Sequence, residues 1–150
     1  MNFFDFFSNL KINKKIISSD NLNIGEVSDG YNQILIASDF LKNNNFIIVV
    51  LPNLFLAQKY YDSLSALVND DDVLFFPADE LITAEMIAAT GDFLFERIQT
   101  LYTILQNQKK IVITNIHGAI KYEMNKEKWL NSFFKISIGD NFDIKKLCDR

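Results

Sequence analysis

Cysteine occurs once in the 150 residues, at Cys148. A single thiol excludes an internal disulfide and any metal site built from several cysteines. Arginine occurs twice, at Arg97 and Arg150, and the formal net charge is -4. Domains dedicated to nucleic acid neutralise phosphates with clustered Lys and Arg, so this balance argues against such a surface. Histidine also occurs once, at His117, with no cysteine or acidic cluster at ligand spacing. It reads as a residue near a helix start, not as a ligand or a base. No apolar run approaches the ~20 residues that a bilayer span requires. Asp5 stands where a basic leader would place lysine. Neither a membrane span nor a signal peptide is indicated, and a cytoplasmic, reducing setting is expected.

Apolar residues make up 49% of the chain, enough for a core of ordinary size in one domain. From Leu22 the pattern alternates between the two secondary-structure periods. Leu22 to Val27 reads as a short strand, Gly30 to Lys42 as a helix, Phe46 to Leu51 as a buried strand, and Leu54 to Leu67 as a second helix. Asp70 to Asp72 marks a turn, Val73 to Phe76 a third strand, Asp92 to Gln106 a helix, and Ile111 to Thr114 a fourth strand. Repeated βα units with β-branched strands predict an α/β fold, a parallel sheet with helices on both faces.

The two ends depart from this rhythm. Phe3, Phe6, Phe7 and Leu10 fall at helical spacing and are followed by Lys11, Lys14 and Lys15. Residues 1–20 are therefore expected to form an N-terminal helix packed on the domain, in preference to a membrane-surface or partner helix. Lys126 to Asn131 looks helical, Phe134 to Ile138 alternates like a strand, and Asp143 can cap a further helix.

The loop from Val27 to Gln33, between a predicted strand and a predicted helix, is where a phosphate-binding loop would lie. Such a loop needs glycines for close backbone approach, a Lys for the β- and γ-phosphates and a Ser or Thr for magnesium. Here Asn32 stands at the Lys position and Gln33 at the hydroxyl position, and Asp29 sets a carboxylate against the phosphates. Gly30 and a helix dipole alone are weak anion binders. Ser28, Asp29, Gly30, Tyr31, Asn32 and Gln33 thus read as a degenerate loop kept as scaffold, with no cofactor-binding, catalytic or metal residues assigned. Asp79-Glu80 resembles a magnesium-holding helicase pair, but Pro77-Ala78 carries it off the strand end, so a loop capping role is expected. Asp70 to Asp72 is expected to be a solvated turn and not a hard-cation site. Arg97 beside Glu96 reads as a structural ion-pair residue, and Lys109-Lys110 as solubilising.

Order and spacing together carry a resemblance. Phe76-Pro77, Asp79-Glu80, the run Leu81 to Ala89, Glu96-Arg97-Ile98 with Leu101, and the strand Ile111 to Thr114 resemble the first domain of bacterial transcription-repair coupling factors (Mfd). Ile47 to Leu51 with Pro52-Asn53 and the helix through Leu67 also fit, and the match runs from about Leu22 to Tyr122. That N-terminal module is in turn similar to the excision-repair helicase UvrB. The resemblance implies a degenerate P-loop domain stripped of its ATPase motifs, with the motor in a distant part of the full chain. UvrB's long aromatic β-hairpin has no counterpart in the short, Tyr-free connector between Phe76 and Glu96. The implied organisation is an N-terminal helix over 1–20, a UvrB-like α/β subdomain over 21–125, and over 126–150 the truncated start of a second α+β domain of the UvrA-binding type. The implied role is non-catalytic. The parent chain would be an ATP-dependent DNA translocase, a hydrolase acting on ATP with magnesium, which displaces stalled RNA polymerase on double-stranded DNA and recruits UvrA through residues beyond this fragment. No cofactor is expected in the fragment itself. Two alternatives remain at this point: a small nucleotide-binding α/β enzyme using Gly30 and Asp79-Glu80, and an unrelated Rossmann-like interaction module.

Overall fold

Ile47-Ile48-Val49-Val50-Leu51 and Ile111-Val112-Ile113-Thr114 are dominated by β-branched side chains, which lose little rotamer freedom on a pleated surface. Both are strands in the computed structural model, which describes residues 3–19, 21–25, 27–78, 87–106, 108–121 and 123–132. The side chains at 12, 17 and 87–92 fall outside that description. In chain order the elements are α1 (Phe3–Asn9), α2 (Lys11–Ile17), α3 (Asp29–Asn43), β1 (Ile47–Leu51), α4 (Leu54–Leu67) and β2 (Val73–Phe76). They are followed by α5 (Ile87–Leu105), β3 (Ile111–Asn115), α6 (Ile116–Ile120) and α7 (Lys126–Ser132).

The sheet is parallel, in the order β1-β3-β2. Its register sets Ile47 beside Ile111 and Ile111 beside Val73. Side chains alternate faces along each strand. Val49, Leu51, Ile111, Ile113, Val73 and Phe75 therefore share one face, where they meet Ala57, Tyr60 and Leu64 of α4 and, behind them, Ala37 and Phe40 of α3. Leu64, Ile111 and Ile113 are wholly buried, and each contributes roughly 1.5–3 kcal/mol relative to exposure. On the other face α5 covers β2: the Arg97 guanidinium lies 3.9 Å from the Phe76 ring centroid. The chain steps from β1 past the slot of β3 to β2, then back. Two crossovers of one hand then require helices on opposite faces, as α4 and α5 are. The central strand β3 is buried at every residue, whereas Ile48 and Val50 of the edge strand β1 stay exposed.

Helix ends follow their local chemistry. Asn53 accepts from the Leu56 N–H at 2.8 Å to start α4, and Ser28 accepts from the Tyr31 N–H at 3.3 Å to start α3. Asn44 closes α3 in the left-handed region, φ 48°, its N–H bonded to the Phe40 carbonyl at 2.8 Å.

The α/β class and parallel sheet expected from sequence are present, with three strands instead of four among the described residues. The expected strand Leu22 to Val27 has no regular secondary structure over its described residues, and Leu22 and Ile24 are exposed. Asn23 and Gly25 alternate with them, and these residue types do not suit a pleated, half-buried surface. The N-terminal helix is two short helices with a break at Leu10. Phe3, Phe6 and Leu10 point outward; Phe4, Phe7 and Ser8 form the packed side of α1, which lies on α3. α5 starts at Ile87, five residues before the expected Asp92, and runs through Gly91. The segments expected at Phe134 to Ile138 and from Asp143 lie outside the described residues.

Candidate functional site

The loop before α3 uses its polar groups internally. Asp29 forms an ion pair with Lys59 at 3.0 Å and accepts from the Tyr60 hydroxyl at 3.3 Å. The hydrogen bond and charge of Lys59 hold the Asp29 carboxyl below its ordinary range, while burial, reinforced by Asp29, pushes the Tyr60 phenol up. Tyr31 donates its hydroxyl to the Asn13 side chain and stacks edge-on against Phe7 at 5.3 Å. Asn13, wholly buried, donates onward to the Phe7 carbonyl at 2.7 Å. Gln33 is buried on α3.

This arrangement differs from a phosphate cradle in three ways. The Tyr31 and Asn32 N–H groups are already bonded, to the Ser28 hydroxyl and the Ser28 carbonyl. A Cβ built on Gly30 meets nothing within 4 Å, so close backbone approach does not require that glycine. The described residues before Ser28 form no strand, so the strand–loop–helix context of a P-loop is missing. An anion at the start of α3 would meet the Asp29 carboxylate first.

In open parallel sheets ligands bind outside the carboxyl ends of the strands. There the described ends of β2 and β3 are tied to each other. The Asn115 side chain, wholly buried, accepts from the Ala78 N–H at 3.1 Å, donates to the Ala78 carbonyl at 2.8 Å and accepts from the Gly118 N–H at 3.1 Å. One amide thereby ties the exit of β2 to the start of α6. Gly118 fits beneath it: an added Cβ would sit 2.3 Å from Thr114 Oγ1 and 2.8 Å from the Phe76 carbonyl oxygen. Arg97, 5% exposed, donates to the Pro77 carbonyl at 2.8 Å and pairs with Glu123. Thr100 donates to the Phe75 carbonyl at 2.8 Å.

Sequence reasoning assigned Arg97 an ion-pair role; the partner is Glu123, far along the chain, and not the adjacent Glu96. It missed Asn115, although Asn at the end of a strand and the start of a helix repeats the pattern of Asn53 and was a readable signal. Lys110, expected to be a solubilising residue, is instead largely buried, pairs with Asp72 at 2.8 Å and donates to the Asp71 carbonyl at 2.8 Å. That ties Asp70 to Asp72, a 3₁₀ turn, to the amino end of β3. His117 is exposed in α6. Among the described residues no three His, Cys, Asp or Glu side chains are grouped to hold a metal ion. Asp79 and Glu80 lie outside the described residues.

A cleft of about 570 Å³ opens between Tyr61, Asp70, Asp71, Glu96, Thr103 and Lys110. It lies at the amino end of β2, away from the loop before α3 and from the edge where open α/β sheets place ligands. Burial and the neighbouring Asp70 push the Tyr61 phenol up. Three carboxylates against one committed lysine make its walls unsuited to an anionic nucleotide.

The chain is similar to transcription-repair-coupling factors. That of Staphylococcus epidermidis is 22% identical over 130 residues, 87% of this chain, and that of Staphylococcus aureus is 22% identical over 116 residues, 77% of it. The chain spans about a tenth of the length of these curated relatives, 11% and 10%. No family model matches, and no solved structure does. Among the described residues no helix is long and apolar enough to cross a membrane.

Proposed function

We propose that this chain is the N-terminal, UvrB-like module of a transcription-repair coupling factor and acts there as a non-catalytic scaffold. The observation that carries the reading is the similarity to those factors along most of the chain. The engaged Asp29–Lys59 loop supports the non-catalytic part. In this reading ATP hydrolysis, translocation on duplex DNA and contact with RNA polymerase belong to other parts of the parent chain. UvrA recruitment belongs to the domain that opens near Lys126.

Pull-down with purified UvrA, comparing this chain with one extended by about 100 residues, a typical domain length, tests the reading. Binding by the extended chain alone is expected. Equal binding by both places the UvrA site on the α/β unit, and binding by neither overturns the proposal. With a net charge of -4, the chain is also expected to give no duplex-DNA mobility shift at physiological salt.

A further inference from the structure

α6 and the connector that follows it carry the chain from the end of β3 to the exit of β2, and polar contacts fasten them there. α6 buries Gly118 alone, while Ile116 and Ile120 are 46% and 75% exposed. At its start the Asn115 side chain accepts from the Gly118 N–H, and at its end the chain leaves the helix at Lys121 in an extended conformation. Beyond that point Lys121, Met124 and Asn125 are exposed, whereas Glu123 reaches inward to the Arg97 guanidinium. Asn125 then accepts from the Lys128 N–H at 2.9 Å and opens α7, none of whose residues is buried.

Arg97 explains why the connector is held. Its guanidinium lies 3.9 Å from the Phe76 ring centroid and donates to the Pro77 carbonyl at 2.8 Å, but neither a ring nor a carbonyl supplies a countercharge. With its side chain 6% exposed, the cation is cut off from water and requires an anion. Glu123 provides it. Release of the connector would strand a buried charge, so the pair couples the path of the chain after β3 to the packing of α5 on β2. We propose that Arg97 and Glu123 form a joint that fixes the direction in which the chain leaves the α/β unit toward α7. Because the described residues on either side of Glu123 are exposed, this one ion pair sets that direction. The inference rests on contacts within the α/β unit and not on the coupling-factor reading.

Backbone amide relaxation of the 150-residue chain, measured by NMR, reads the joint directly. In the unmodified chain the order parameters of residues 123–126 should lie near the roughly 0.85 of rigid backbone, and in Glu123→Ala they should fall below about 0.6 while those of β3 stay unchanged. Glu127→Ala, which removes an exposed acid on α7, should leave them as they are. Arg97→Met removes the guanidinium and keeps an unbranched side chain. It should loosen the same residues, and adding Glu123→Ala to it should change them no further. If Arg97→Met does not fold, Glu123→Ala decides alone, since it leaves Arg97 against Phe76 and Pro77. Residues 123–126 already mobile in the unmodified chain overturn the proposal. A connector that stays rigid in Glu123→Ala overturns it as well, even where that variant loses stability in urea, because a pair that only adds stability gives that result.

Discussion

The carboxyl end of β3 and the loop that opens α3 both gather polar side chains, but only the first depends on them for its architecture. Asn115 is wholly buried and its side chain bonds the Ala78 and Gly118 backbone, and Arg97 is almost wholly buried. The Asp29–Lys59 pair is half exposed at both partners. Water can replace what the loop pair loses and cannot replace what Asn115 loses. The region that resembles a site in sequence is the lightly held one, and the region that reads as an ordinary strand end is the tightly held one.

Substitutions should separate the two regions, beginning with the core beneath both. Ile113→Asp places an unpaired charge in the wholly buried centre of β3, at a cost of several kcal/mol against a total stability of about 5–15 kcal/mol. The expected result is loss of the cooperative unfolding transition in circular dichroism. A cooperatively folding Ile113→Asp chain would show that β3 is not central.

Asn115→Ala should come next. It leaves the Ala78 and Gly118 backbone groups without their partner, for about 2–4 kcal/mol in urea unfolding at 1–3 kcal/mol per orphaned buried group, partly relaxed. Gly118→Ala should cost about 1–3 kcal/mol by overpacking against Thr114 and Phe76.

Lys59→Ala should be the mildest, with a change in melting temperature near the limit of measurement that added salt removes. Its pH dependence has a defined sign. The Asp29 carboxyl is held below its ordinary value of 3.8, so any stabilisation is present above that value and fades as pH falls through the depressed folded-state value. Wild type and Lys59→Ala should therefore converge in acid. At the alkaline end Tyr60 and Tyr61 are raised above 10.0. The stability they contribute is complete below that value and is lost as pH rises through their folded-state values, which spectrophotometric titration would follow.

Much of the fold was legible because period and punctuation agreed. Leu54 to Leu67 and Val73 to Phe76 match their observed bounds. The strand at Leu22 was misread because alternation alone does not supply a partner strand, and its intervening residues are Asn and Gly. α1 was assigned the wrong buried face because four of its seven residues are Phe, so spacing could not choose among them. In the candidate site, residue type alone sets Asn32 and Gln33 where a phosphate loop would carry Lys and a hydroxyl. The partners were not legible: Asp29 with Lys59, Tyr31 with Asn13 and Arg97 with Glu123 are joined only by tertiary packing.

The loop Ser28–Gln33 starts α3 and docks Lys59, Tyr60 and Asn13, and no nucleotide is expected to bind there. Titration of the chain with a fluorescent ATP analogue and magnesium tests this most directly, with Asn32→Lys/Gln33→Thr measured alongside. No saturable binding below about 100 μM, roughly 5.5 kcal/mol, and no hydrolysis are expected of either chain. Saturable binding by the unmodified chain below that concentration would contradict it.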